Sequence, residues 1–235
     1  MIAITFALPA ESSGLVGLLR EKKRASSSGG KIVYGKIENQ SIAILHTGVG
    51  RKSCQLKIDN FLRTEELRRL ISSGFAGAAR EDFQVGDLIV AENFSDRELV
   101  SEAQQILANG NVRTAKLFTS ATIVDSIDAR NEIARTNAAD AVDMETEVIA
   151  QACSVRGVPM LSLRAISDSL REPFPAPPSI LFDIERQRTN AAKLSLYLIN
   201  HPRALFDLFR FARQITRARR ILTGAIVDLL RQVDR

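Results

Sequence analysis

The stretch AVDMETEVIAQACSVRGVPMLSLRAISDS, residues 141–169, joins a helix to the strand that follows it. Residues 144–157 carry an amphipathic pattern that ends at Gly157, a residue type that often terminates helices. The next segment, VPMLSLRAIS, has the apolar run of a buried strand and ends in Arg, Ser and Asp. Ligands of α/β sheets bind beyond the carboxyl ends of the strands, so these polar groups indicate a small-molecule site.

The same alternation of strands and helices runs along the rest of the chain. It predicts an α/β protein with a parallel or mixed central sheet that is covered by helices on both faces. The predicted strands are 2–8, 31–37, 41–47, 68–79, 85–94, 115–124 and 158–167, with a hairpin between 31–37 and 41–47. The predicted helices begin at about Ser12 and span 51–64, 97–110, 126–137 and 144–157.

Composition places the chain among ordinary globular proteins. It has 235 residues, 45% of them hydrophobic, which is enough to form one buried core without disulfides or a structural metal. Cys54 and Cys153 have no metal-ligand spacing, so we expect reduced thiols that pack as small buried hydrophobes. His46 and His201 are the only histidines, which excludes a histidine metal cluster, and we expect no metal.

The first residues, MIAITFALPAE, lack the basic start of a signal peptide and soon reach Pro9 and Glu11. No apolar run approaches the roughly 20 residues of a transmembrane helix. We therefore expect a cytoplasmic protein.

Positive charge is concentrated in residues 201–235. This segment has eight Arg and three Asp, a net charge of +5 that equals the formal net charge of the whole chain. Residues 1–200 are thus neutral overall, and the composition gives no reason to expect a nucleic-acid partner.

An acidic cluster precedes the helix at 144–157. Asp143, Glu145 and Glu147 favour one of two interpretations. They are acidic residues matched to the helix dipole, or one carboxylate accepts hydrogen bonds from two adjacent hydroxyls of a ribose, with Met144 packing on the sugar.

The strand end RAISDS also has two interpretations, namely ordinary turn residues or a catalytic group. In the second, Asp168 donates a proton, Ser167 orients it, and Arg164 supplies positive charge near an anion or nucleophile. Glu11 is a candidate second carboxylate. One carboxyl group would then protonate a leaving group while the other activates water, as in the cleavage of glycosidic bonds.

These motifs together resemble the purine nucleoside phosphorylase / methylthioadenosine nucleosidase superfamily. The resemblance rests on the Met-Glu helix start followed by RAISD, on ISSGFAGAA followed by VGDLIV, and on HTGVGRKSC, in that order between Met1 and about Asn200. It implies a three-layer α/β/α phosphorylase-type fold with a mixed central sheet, and an enzyme that cleaves the N-glycosidic bond of a nucleoside. It also implies a purine nucleoside substrate and a homodimer or larger oligomer.

The resemblance assigns roles to individual residues. Asp168 would protonate purine N7, Ser167 would orient Asp168, and Glu145 would bind the ribose 2′- and 3′-hydroxyls beside Met144. Glu11 would position an attacking water, with Arg164 near it. The remaining predicted contacts to substrate are Gly74, Phe75, Ile123 and Val124, of which the last two would flank the base.

Two positions depart from the superfamily pattern. Phe75 stands where the nucleosidases and many phosphorylases have a Ser that touches water or phosphate, and Ser72 stands where hexameric phosphorylases have a phosphate-binding Arg. Arg51 or Arg80 would have to substitute if phosphate were a co-substrate. The sequence therefore favours water as nucleophile, without any cofactor, over a phosphate-dependent reaction. A third alternative is a protein that binds nucleosides or a membrane without catalysis.

The C-terminal segment repeats apolar residues at alternating spacings of three and four. The positions are 205, 208, 212, 215, 219, 222, 226, 229 and 233, and only Arg219 breaks the stripe. This predicts one or two amphipathic helices, with Gly224 a candidate break. The helix packs on the body or a dimer partner, or it lies on an anionic membrane through residues 202–235. We treat residues 1–200 as the catalytic domain and 201–235 as a helical tail.

The tail, which we expect to exceed that of methylthioadenosine nucleosidases, carries a finer resemblance. With LPAE, VDME and the proline-rich segment 171–178, it resembles the hopanoid-associated phosphorylase branch, which is linked to adenine removal from adenosylhopane. The substrate class is then a 5′-substituted adenosine of hopanoid or methylthioadenosine type. Segment 171–178 is either a connector or a lid over the site.

Overall fold

The computed structural model describes residues 1–27, 30–110, 112–171, 174, 176–182, 187, 191–202 and 204–232. Within them the strands are β1 Ile2–Phe6, β2 Arg20–Ser27, β3 Gly30–Ile37, β4 Gln40–His46, β5 Arg69–Ala78, β6 Leu88–Ala91, β7 Val112–Ala115, β8 Leu117–Thr119, β9 Ala141–Asp143 and β10 Met160–Asp168. The helices are α1 Pro9–Leu18, α2 Arg51–Thr64, α3 Arg97–Ile106, α4 Ile127–Asn137, α5 Thr146–Arg156, α6 Pro178–Leu181, α7 Ala191–Asn200 and α8 Ala204–Gln232.

The strands form one mixed sheet in the order β2-β3-β4-β1-β5-β10-β6-β7, and β8 and β9 join it through β5. Its centre is parallel, because β1 pairs with β4 and β5, and β5 pairs with β10. All nine residues of β10 are buried, as expected for a central strand covered on both faces. The ends of β1, β5 and β10 therefore meet at one edge of the sheet.

Two apolar clusters cover the two faces and make three layers. One cluster combines residues of α1, α3 and α8 with the sheet, and the other combines residues of α2 and α5 with the opposite face. The predicted three-layer α/β/α architecture with a mixed sheet is confirmed.

The structure differs from the prediction at one missed strand and at the ends of several elements. β2 was not predicted, because its REKKRASS sequence is polar and its described side chains are exposed. The predicted strand 115–124 contains only the last residue of β7 and the three residues of β8, and 120–126 is a loop beyond the pairing of β8 with β9. Helix α1 begins at Pro9, which suits the first helical turn, rather than at Ser12.

The tail forms a single helix that Gly224 does not break. Its second half lies in the core through Ala218, Leu222, Ile226 and Leu229, and Arg219 donates to Ser13 Oγ of α1 at 3.0 Å. The prediction that the helix packs on the body is thus correct for this half. The domain boundary at 200/201 stays a prediction, although α8 shares its core with the preceding residues.

Both cysteines are buried and free, as predicted. Burial raises the pKa of both thiols, that of Cys153 to about 12, so they pack as small hydrophobes. Among the described residues, no helix has the length and apolar character to cross a membrane.

Candidate active site

All ten predicted site residues meet at the carboxyl ends of the central strands. A pocket of about 330 Å³ opens there, and its lining includes Glu11, Phe75, Ile123, Val124, Met144, Glu145, Ser167 and Asp168. The other two, Gly74 and Arg164, line a small cavity of about 10 Å³ that shares Glu11, Phe75 and Glu145 with the pocket. The structure therefore brings the ten predicted residues together.

Glu11 enters the site from the first turn of α1. The Leu8 N–H donates to its Oε2 at 2.8 Å, and the Phe75 N–H donates to its Oε1 at 3.2 Å. Burial raises the pKa of Glu11, although these N–H groups and the charge of Arg164 act in the opposite direction. A fixed carboxylate with a raised pKa suits a group that accepts a proton from water.

The turn at Gly74 allows this arrangement. Gly74 has φ +155°, which disfavours other residues, and a Cβ there would lie 3.1 Å from Glu11 Oε1. The glycine therefore lets the carboxylate sit against the Phe75 backbone. Phe75 contacts Glu11 through its backbone N–H, while the residue itself lines the pocket.

Glu145 lies immediately before α5, and its Oε1 accepts the Gly50 N–H at 2.7 Å. Burial raises the pKa of Glu145 to about 8, with a further contribution from the nearby negative charge of Asp143. A carboxyl group in this setting is held in place by one backbone donor. Its other oxygen, which has no hydrogen bond to the described residues, is suited to ribose hydroxyls.

Asp143 and Arg164 form a buried ion pair beneath Glu145. Arg164 Nη2 lies 3.3 Å from Asp143 Oδ2 and also donates to Thr146 Oγ1 at 2.7 Å and Ser72 Oγ at 2.8 Å. Its Nη1 donates to the Ser72 carbonyl at 2.6 Å. These protein partners occupy the guanidinium, so Arg164 acts on the site through its charge rather than by gripping an anion.

Asp168 is held from both sides. The Ser167 hydroxyl donates to Asp168 Oδ1 at 2.7 Å, and Arg130 forms a buried ion pair with Oδ2, with both side chains 3% exposed. Arg130 also donates to the carbonyls of Val124 at 3.0 Å and Ala78 at 3.2 Å. It thereby fixes Asp168 and the loop that carries Val124 in one arrangement.

Sequence reasoning missed Arg130. It lies in α4 among polar residues, and the sequence carries no signal that separates it from an arginine on the surface. The backbone of Gly77 lies close to this ion pair. A Cβ at Gly77 would lie 2.9 Å from Asp168 Oδ2, so a larger residue would disturb the carboxylate.

One wall of the pocket is apolar. Phe174, Leu181 and Phe182 follow β10, and Phe211 comes from α8. The rings of Phe174 and Phe211 meet edge to face with centroids 5.7 Å apart. Segment 171–178 was predicted as a connector or a lid, and Phe174 is part of the pocket wall. Its residues 172, 173 and 175 lie outside the described residues.

Positive charge for a phosphate ion is scarce here. Among the described lining residues of the pocket, Arg130 is the one cationic side chain, and it is paired with Asp168. Arg51 pairs with Glu147 at the surface, and Arg80 is exposed beside Asp82. In the part of the chain that the structure describes, no cluster of His, Cys, Asp and Glu has the arrangement of a metal site.

Comparison with known proteins places this site in a family. The sequence profile of the Phosphorylase superfamily matches residues 1–107 and 92–200. The chain belongs to the phosphorylase superfamily. This confirms the superfamily that the motifs indicated, whereas nothing in the comparisons singles out the hopanoid-associated branch.

Relatives within the superfamily include two 5′-methylthioadenosine/S-adenosylhomocysteine nucleosidases. That of Staphylococcus haemolyticus is 24% identical over 196 residues, covering 72% of this chain and 86% of the relative. That of Glaesserella parasuis is 28% identical over 195 residues, covering 71% and 85%. The relatives support the prediction of an enzyme.

Solved structures share the superfamily fold. The nucleosidase of the same name from Campylobacter jejuni has a TM-score of 0.76 at 18% identity and covers 99% of both chains. Futalosine hydrolase from Helicobacter pylori has a TM-score of 0.64 at 21% identity, covering 71% of this chain and 87% of its own. Since the first match takes in nearly all of both chains, the expectation of a longer tail than in these nucleosidases is wrong for this one.

Proposed function

We propose that this superfamily member hydrolyses the N-glycosidic bond of a 5′-substituted adenosine and releases adenine. The observation that carries the proposal is that Glu11, Glu145 and Asp168 line one pocket. The names of the relatives, which are nucleosidases, support the same reaction. A protein that only binds nucleosides has little use for a proton donor and a base in the same pocket.

Each carboxyl group has a separate task in the proposed reaction. Asp168 is paired with Arg130 in the free site, so this step requires Asp168 to take up a proton when substrate binds. Oriented by Ser167, it then gives that proton to N7 so that adenine leaves as a neutral base. Glu145 accepts hydrogen bonds from the 2′- and 3′-hydroxyls, and Met144 packs on the sugar. Glu11 takes a proton from the attacking water.

We propose water rather than phosphate as the nucleophile, and no cofactor. Asp143 neutralises Arg164, and Glu11 and Glu145 add two carboxyl groups beside this pair, so the described lining offers a phosphate ion no unpaired positive charge. Arg164 is occupied by protein partners, and Ser72 Oγ is among them. This arrangement supports a neutral nucleophile.

The 5′-substituent is proposed to be apolar, of the hopanoid type rather than a methylthio group. Phe75, Phe174, Phe182 and Phe211 give the pocket an apolar lining, which supports an apolar substituent. Burial of apolar surface contributes about 25 cal/mol per Å², so such a wall favours a long hydrocarbon group.

Peripheral contact with an anionic membrane is the matching proposal for the surface. Exposed apolar side chains of α7 and the first half of α8 lie close in sequence to Phe211 of the pocket, namely Leu196, Ile199, Leu205, Phe206 and Phe209. Exposed Arg210 and Arg213 add positive charge to the same half of α8. We also propose a homodimer or larger oligomer, which light scattering of the purified protein tests.

The reaction is tested by adenine release from adenosines with 5′-substituents of increasing apolar length, with and without phosphate. We expect release without phosphate and the highest kcat/KM for the longest apolar substituent. Asp168→Asn should lower kcat by about 100-fold or more, since it removes the acid, whereas exposed Asp128→Asn should not. Strict dependence on phosphate would refute hydrolysis, and equal rates for Asp168→Asn would refute the acid.

Membrane contact is tested by sedimentation with anionic vesicles. Phe206→Ser combined with Phe209→Ser should weaken binding, because the two rings are 77% and 62% exposed. Val155→Ser is the matched control, since Val155 is 84% exposed on α5 and outside this patch. Equal binding by wild type and the double variant would contradict the proposal.

A further inference from the structure

A second, much smaller cavity lies at the base of the pocket. Its volume of about 10 Å³ is close to the space that one water molecule needs. Its lining includes Glu11, Glu145 and Arg164. The cavity therefore borders both the proposed base, Glu11, and the buried ion pair of Arg164. A buried water also needs two or more polar partners, and this lining offers them.

Thr5 of β1 lines the same cavity, and its hydroxyl is available to a ligand there. It is 1% exposed, and its Oγ1 has no hydrogen-bond partner among the described residues. Leaving a buried hydroxyl unpaired costs about 1–3 kcal/mol, so a retained one calls for a ligand. A valine of nearly the same shape would avoid that cost.

The sheet register places the Thr5 side chain on the same face of the sheet as Arg164. Thr5 pairs with Ser72 of β5, whose Oγ accepts from Arg164 of β10. Side chains of paired residues in neighbouring strands share a face, and Arg164 pairs with Gly74, two residues after Ser72. Thr5 and Arg164 therefore lie on the same side of the sheet. Ser73 is a second unpaired hydroxyl at the cavity, but alternation along β5 points it to the opposite face.

We propose that the Thr5 hydroxyl holds the attacking water against Glu11, an inference that rests on the proposed hydrolysis. The water donates one hydrogen to Glu11 and the other to Thr5 Oγ1, which leaves an oxygen lone pair for C1′ of the sugar. The water oxygen bonds to C1′ as the bond to N9 breaks. The electron pair of that bond goes to adenine, Asp168 protonates the base, and Glu11 takes the water proton.

The test compares Thr5→Val with Thr5→Ser. Thr5→Val keeps the shape and removes the hydroxyl, and we expect kcat to fall about tenfold with KM within about twofold. Its melting temperature should not fall, because Thr5 Oγ1 makes no hydrogen bond to the described protein groups that the variant could lose. Thr5→Ser keeps the hydroxyl and should restore most of kcat.

A nucleophile-selection readout separates this role from packing. In water–methanol mixtures, wild type should form mainly ribose product, and Thr5→Val should form a larger fraction of the methyl riboside. Ser162→Ala is the matched control, since it removes another buried, unpaired hydroxyl from β10 outside the cavity lining. It should change neither kcat nor the product ratio.

Two failures are distinguishable. If wild type releases no adenine without phosphate, hydrolysis is refuted and the Thr5 assignment with it. If wild type hydrolyses substrate and Thr5→Val matches it in kcat and product ratio, the Thr5 assignment alone is overturned. A loss of kcat in Thr5→Val that follows a lower melting temperature, with an unchanged product ratio, also overturns it.

Discussion

The buried pair of Arg130 and Asp168 gives the sharpest prediction about this protein. Arg130→Met keeps much of the side-chain length but leaves Asp168 in the interior without its partner. It also removes donors to the carbonyls of Val124 and Ala78. Removing one member of a buried ion pair costs about 3–5 kcal/mol, so we expect the free energy of unfolding to fall by about that amount.

The same helix supplies a matched control. Arg135 pairs with Glu132 at 2.7 Å, but the two side chains are 73% and 58% exposed. Exposed pairs contribute about 1 kcal/mol or less, so Arg135→Met should barely change stability. The contrast between the two variants isolates burial, because both remove an arginine from α4.

A double variant separates loss of the pair from loss of the charge. Combining Arg130→Met with Asp168→Leu removes both charges, so no unpaired carboxylate remains in the interior. We expect the double variant to lose less stability than the two single variants added together. Urea unfolding followed by circular dichroism measures wild type and the four variants, and their free energies of unfolding are compared where the m-values agree. An Arg130→Met variant as stable as Arg135→Met would refute the reasoning.

Three further predictions concern Gly77 beside Asp168, the pH dependence of stability, and the packing of α8. Gly77→Ala should lower adenine release, because its Cβ would lie 2.9 Å from Asp168 Oδ2, and a kinetic assay checks this. The raised pKa of Glu145, about 8, means that the folded state binds an extra proton between roughly pH 4.5 and 8. The stabilisation from this proton is present at low pH and is lost as pH rises towards 8. The urea midpoint of wild type should therefore fall more steeply with rising pH than that of Glu145→Gln. Leu222→Ala should cost about 2–5 kcal/mol in urea unfolding, whereas Leu205→Ala, at a 44% exposed position, should cost far less.

The central fold was predictable because buried strands carry continuous apolar runs. β1, β5 and β10 each have such a run, and the residues after them are small or polar. β2 was not predictable from apolar runs, since this polar edge strand has none. The tail was ambiguous for a related reason, because a helix gives the same stripe whether it covers a core or a membrane.

Much of the candidate site followed from position along the strands. Glu11 and Asp168 were singled out because each lies at or just past the end of an apolar strand, where ligands of α/β sheets bind. Arg130 could not be found this way, since its partner Asp168 is 38 residues away and no local pattern links them. A buried ion pair of this kind appears only once the helix is placed on the sheet.

Phe75 marks the difference between what a substitution implies in sequence and what it does in the fold. The sequence suggested that Phe in place of Ser disturbs the nucleophile site. The structure shows that Glu11 is held by the Phe75 backbone N–H, which any residue except proline supplies at this position. The side chain therefore leaves the base in place and changes the shape and polarity of the pocket. Phe75 therefore bears on the proposed substrate, whose 5′-substituent would meet an apolar wall, more than on the nucleophile proposed to attack C1′.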